Sequence, residues 1–232
     1  MTEKTSSPAD GNSSFVSKAL QAGASITQSF DPVKNICQHL CGIHFYADDM
    51  SRQVVAHHYC TQMSEDMYQC IIFDSDEPNA KLIGIEYVVS EAVFKTLPEE
   101  EKRFWHSHRF EVGSGLLTLP TIVSSGVESK METKALKNLL NSYGKTVHTW
   151  QVDRGDQLPL GPPQMMMAFT EEGQVNPSLT KQLEQKYSIS YESKKKDREE
   201  LRQEASPPDP AADSWQSGKA YQIKVEGVDF KR

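Results

Sequence analysis

Two short segments hold the residues best suited to chemistry: Trp105-His106-Ser107-His108-Arg109-Phe110-Glu111 and the doublet His57-His58. Four of the seven histidines lie there, beside aromatic, otherwise core-like sequence. A neutral imidazole offers a lone pair to a metal ion, and its charge changes near neutral pH. Clustered histidines therefore serve either coordination or proton transfer. His106 and His108 are two residues apart, so on a strand they share one face. Glu111 joins them only if the chain bends at a strand–helix junction; on a helix it is His108 and Glu111 that share a face. His57 and His58, as neighbours in a strand, point to opposite sides, and only one of them can reach a given site. The candidate metal ligands are thus His106, His108, Glu111 and one of His57 and His58, with a divalent ion as the candidate cofactor. Glu111 is also the candidate catalytic base, or a residue that orients the ligands. The ordinary alternative is that each imidazole is capped by a carbonyl or a carboxylate and binds nothing. For His148, which shares a strand face with Trp150, that alternative prevails.

Other motifs carry less. Asp153-Arg154-Gly155-Asp156 reads as a tight ion-pair turn, and Met165-Met166-Met167 as flexible core packing. A G-x-S-x-G elbow, a phosphate-binding glycine loop and a dinucleotide fingerprint are all missing, which removes the commonest hydrolase, nucleotidase and dehydrogenase readings. The net charge of −7 argues against a nucleic-acid partner. The one basic run, Lys194-Lys195-Lys196, is followed at once by Asp197, Glu199 and Glu200, as on a solvated helix. No run approaches the roughly 18–20 apolar residues of a transmembrane helix. Cys37, Cys41, Cys60 and Cys70 form no recognisable zinc or disulfide framework and read as reduced thiols of a cytoplasmic protein.

The elements that must position the histidines follow from periodicity. Asp31-Pro32 is a helix start, and Val33, Ile36, Cys37 and Leu40 continue one helical face up to Gly42. A shorter amphipathic helix is expected over 13–28, with Phe15, Val16, Ala19, Leu20 and Ile26 on its apolar side. Strands are expected at 43–47, 53–62, 67–73 and 82–89, and the short gaps between the last three favour antiparallel pairing. Ser90 caps a short helix, and Pro98 opens another turn. Residues 109–119 read as a strand broken by Gly113 and Gly115, 128–143 as a helix capped by Gly144, and 145–152 and 165–169 as strands. Asn176-Pro177 begins a helix that runs to Tyr187, and 221–225 alternates like a late edge strand.

These readings give an α+β class: a single domain with a mainly antiparallel sheet flanked by helices, and disordered N-terminal and acidic C-terminal segments. The expected divisions are a tail at 1–14, the domain at 15–191, a charged proline-containing linker at 192–219 and a returning strand at 220–232.

Several motifs occur in order: Tyr46-Ala47-x-Asp49-x-x-Arg52-Gln53, His57-His58, Gln69-Cys70, Leu82-Ile83-Gly84-x-Glu86-Tyr87, the Trp105 segment through Glu111-Val112, and Tyr143-Gly144-Lys145 with Trp150 to Gly161. Over about residues 32 to 190 the chain resembles the oil body-associated protein family, a domain-of-unknown-function family of plant seeds with relatives in fungi and bacteria. The resemblance implies association with lipid droplets and brings no established catalytic mechanism. Two functions are therefore expected to compete. One is a peripheral lipid-storage factor at the droplet surface, with a histidine-rich polar pocket. The other is a metal-dependent enzyme or metal-binding protein acting on a small organic molecule.

Overall fold

Four hairpin-linked strands, β1 (Gln38–Tyr46), β2 (Asp49–Ser64), β3 (Met67–Phe73) and β4 (Leu82–Val89), run antiparallel in sequence order. They belong to a computed structural model that describes residues 23–24, 27–120, 132 and 136–232. The short strand β5 (His106–Ser107) follows, then β6 (Tyr143–His148) and β7 (Gln164–Met167). Strand β6 pairs with β4 from Gly84↔His148 to Val89↔Tyr143. Strand β7 pairs with β6 on one side and, through Phe45↔Met167 and Tyr46↔Met166, with β1 on the other.

That pairing corrects the expected architecture. The sheet is not an open layer flanked by helices but a closed barrel of six antiparallel strands, with β5 outside the ring against Tyr143 and Gly144. A period of two reports which residues share a face. It cannot report that the sixth strand will find the first, because closure depends on strand tilt and register.

Alternate residues of the six strands fill the interior in three layers. At one end Tyr46, Val54, Ala56, Ile72, Ile83 and Met166 form an apolar plug. At the other, Leu40, Cys60, Cys70, Val88, Leu117 and Leu139 belong to a second. Between them lie polar side chains: His44, His58, Glu86, Thr146 and His148. In so small a barrel the side chains are the core.

Local corrections follow from burial on both faces. The helix expected from Asp31 to Gly42 ends after one turn, Asp31–Lys34, and Gln38 already begins β1. From Leu40 to Tyr46 every residue of that strand is buried. Its inner residues face the barrel while Cys41, Ile43 and Phe45 pack outside it with Met165, Met167 and Phe169. A strand apolar on both faces loses the alternation that distinguishes it from a helix. Residues expected as a strand at 109–119 form a helix, Arg109–Ser114, ended by Gly115 at φ 91°. Cys60 and Cys70, read as free thiols, stand opposite each other on β2 and β3 and form a disulfide. Cys37 and Cys41 are free.

The acidic C-terminal segment is also ordered. Helices Tyr191–Asp197 and Glu199–Gln203 carry Arg198, which is buried and donates to the carbonyls of Val112 and Leu117 at 2.7 and 2.9 Å. A charged composition signals disorder only where no partner accepts the charges; here Glu132 pairs with Arg198 at 3.1 Å and with Lys194 at 2.6 Å. Residues 219–232 carry no strand. Gln222 instead binds the backbone of Met165 through its side chain, accepting at 2.7 Å and donating at 3.2 Å. Most of the expected N-terminal helix, and 128–131 and 133–135 of the helix expected at 128–143, lie outside the described residues; 136–140 are helical, but that helix stops short of Tyr143, which begins β6. The barrel lies within Ile36–Arg232, one of the two units into which the chain divides.

Candidate functional site

Glu86 is the residue on which the polar layer converges. It lies in the inward register of β4, opposite Cys70 on β3 and Thr146 on β6, and is 3 % exposed. Its Oε2 is 2.9 Å from His58 Nε2, and its Oε1 is 3.2 Å from both His106 Nε2 and His108 Nε2. Neither His58 nor His106 is aligned for a hydrogen bond to it, and both ring nitrogens of each remain unpartnered. His44 and His148 complete the belt, with Nδ1 and Nε2 3.3 Å apart.

The Trp105–Glu111 segment reaches this cage by bending. Strand β5 is clipped against β6 and pinned from the far side by Asp213, which accepts from Ser107 N–H at 3.0 Å and from its hydroxyl at 2.7 Å. His108 is the cap of the helix Arg109–Ser114, and one turn later Glu111 points the same way. Ligand atoms of His106, His108 and Glu111 consequently lie within 4.8 Å of one another, as do those of His44, Glu86 and His106. Gly144 makes the approach possible: a Cβ there would stand 2.0 Å from Glu86 Oε1, 2.6 Å from His106 Nε2 and 2.8 Å from His108 Nε2.

Burial sets the electrostatics. It drives His44 well below the usual histidine range, takes His148 down to about 3 and lowers His108. Burial alone would raise Glu86, but the imidazoles of His58, His106 and His108 outweigh it and hold the carboxyl well below its ordinary range. Glu111 is lifted well above that range by burial, with the charges of Glu86 and Asp213 adding to the effect. The cage thus pushes its two carboxyls in opposite directions, by environment rather than by residue type.

Of the residues singled out in the sequence, His58, His106, His108 and Glu111 meet; His57 does not. It faces out of the same strand, 3.1 Å from His39 and 3.9 Å from the Cys41 sulfur. Sequence reasoning missed Glu86 and His44 and set His148 aside. The available signal was a charged or titratable residue at an inward position of an otherwise apolar strand. The cavity between His44, His58, Glu86, His108 and Glu111 measures about 20 Å³, room for one water-sized occupant. That volume leaves no room for an organic molecule.

Comparison with known proteins adds kinship. Residues 30–202 match the family described as "Protein of unknown function (DUF1264)". The chain is similar to oil body-associated protein 1A of Zea mays, 45% identical, covering 91% of this chain and 86% of that protein. It is 43% identical to oil body-associated protein 1B of Arabidopsis thaliana, with coverage of 91% and 85%. Oil body-associated protein 2B of Zea mays is 37% identical, with coverage of 97% and 90%. No solved structure matches the chain.

Proposed function

The chain belongs to the oil body-associated, DUF1264 family, and from that premise we propose that it is a peripheral protein of the oil-body surface. The observation that carries this reading is the 45% identity, over nearly the whole chain, to a protein named for that organelle. Among the described residues no helix is long and apolar enough to cross a membrane, so attachment would rest on exposed side chains.

Two groups suit that role. Leu158 and Leu160 stand more than half exposed on the proline-rich loop after Asp156. Val225, Val228 and Phe230 are 79%, 81% and 85% exposed, with Glu226 and Asp229 between them and Lys224, Lys231 and Arg232 at the flanks. Exposed apolar side chains flanked by cations suit a phospholipid monolayer over oil. Each such side chain contributes about 1.5–3 kcal/mol when fully buried, so several must act together. The segment before residue 30 would add to them.

Flotation tests the reading. The full chain is mixed with triacylglycerol droplets coated with phospholipid and centrifuged. The expected result is recovery in the floating layer, reduced by Leu158→Asp with Leu160→Asp, by Phe230→Asp, or by deletion of residues 1–30. A folded chain that stays wholly in the aqueous layer with neutral and anionic coatings alike overturns it.

A further inference from the structure

We propose that the barrel interior binds one divalent first-row transition-metal ion, held by His44, Glu86 and His106, with His58 and His108 against the same carboxylate. The ion is a structural component of the barrel.

Geometry carries the assignment. The Ser142 hydroxyl donates to the Leu139 carbonyl at 2.9 Å and accepts from His108 Nδ1 at 2.8 Å, which fixes that ring with Nε2 3.2 Å from Glu86. It is the kind of outer hydrogen bond that orients an imidazole at a metal site.

Spacing and valence agree. Four nitrogen or oxygen ligands at roughly 2.0–2.1 Å from a tetrahedral ion stand about 3.3 Å from one another. Ligand atoms of His44, Glu86 and His106 lie within 4.8 Å of one another, and Glu86 Oε1 is 3.2 Å from His106 Nε2. His58 and His106 are buried, aim at the same carboxylate and have unpartnered ring nitrogens, which is costly unless something else satisfies them. Among the described residues Glu86 has no Lys or Arg partner, so a dication would also balance its charge. Imidazole-rich donors with one carboxylate suit zinc, iron, nickel or copper rather than calcium or magnesium. The cavity of about 20 Å³, where the polar side chains meet Leu40, Val88 and Leu117, has room for a single ion.

The test uses the full chain, stripped with chelator, dialysed against Zn²⁺ and, separately, against Co²⁺. Elemental analysis is expected to give one ion per chain, with a rise in Tm on Zn²⁺ addition and visible Co²⁺ absorption lacking sulfur charge transfer. Glu86→Gln or His106→Asn should weaken binding by about 100-fold or more. His39→Ala with His57→Ala, on the outer wall, should leave it unchanged. A folded wild-type chain that takes up neither ion overturns the proposal, because protons must then hold the cage together. So does binding that survives Glu86→Gln but disappears with His39 and His57. Should the cage variants fail to fold, the wild-type Co²⁺ spectrum decides: sulfur charge transfer assigns the ion to Cys37 or Cys41 and refutes the cage.

Discussion

His57 and His58 are neighbours in one strand and end in opposite worlds. His58 enters the cage with His44, His106, His108, His148 and Glu86, where imidazole nitrogens outnumber their partners. His57 turns outward to a second cluster, in which His39 stacks on Tyr59 at 4.4 Å and sits 3.1 Å from His57, while Cys41 lies 3.9 Å away. Burial lowers His57 to about 4, with His39 adding to the effect, and it lowers His39 too, so two neutral rings share a hydrogen bond. Histidines gathered in space are therefore not in themselves a site. What separates the inner group from the outer one is unmet valence around a buried carboxylate that no lysine or arginine among the described residues reaches.

The sharpest way to break this comparison is to fill the floor of the cage. Gly144→Ala would drive a Cβ into Glu86 Oε1 and two imidazoles, forcing apart groups held by β4, β5 and β6 at once. Breaking a buried ion-pair network costs about 3–5 kcal/mol, and the expected outcome is a loss of at least that size in denaturant unfolding. Gly155→Ala is the control: its Cβ meets nothing within 4 Å, and the cost is backbone strain at φ 76°, about 1 kcal/mol. Equal stability of the two variants would show that the cage is loose. The disulfide bounding the cage comes next. Cys60→Ser with Cys70→Ser opens a cross-link with a sequence separation of 10, for which chain entropy gives about 2–3 kcal/mol. A melting curve unchanged by this substitution, or by reduction, would remove the bridge from the account.

Much of the cage was legible in the sequence, but not its centre. The pairing of His106 with His108, the bend needed to bring in Glu111, and the division of the His57-His58 doublet all follow from side-chain periods within one element. Glu86, His44 and His148 come from three separate strands and meet only because the barrel closes. Closure is a long-range event that local periodicity does not encode. Hairpin strands β2, β3 and β4 stand close to where alternation put them, and so does the second half of β1, whereas its first half, up to Gly42, read as the end of a helix. Asp213 was assigned to a disordered linker, yet it holds Ser107 through two hydrogen bonds. Composition describes a segment by itself; the partners that order it lie far away in the chain.

The smallest expected effect sharpens the outer side of the comparison. Asp76 lies at the rim of the His39–His57 cluster, paired with Lys186 and accepting from the Tyr187 hydroxyl at 2.8 Å. Partial burial would raise its carboxyl, but these two donors outweigh it and hold the group at about 2, against an ordinary 3.8. A carboxyl depressed in the folded state adds stability that is complete above its unfolded value and lost as pH falls through its folded one. The window for Asp76 is therefore from about pH 4 down to about pH 2. Asp76→Asn should lower stability slightly at neutral pH and make the acid limb shallower within that window. Because the pair is partly solvated, its size should be about 0.2–1 kcal/mol, declining further in molar salt. Denaturant midpoints measured at pH 7, 4 and 2.5 give the result directly. A loss of several kcal/mol that resists salt would make the outer cluster as consequential as the cage, and the contrast between the two faces of β2 would fail.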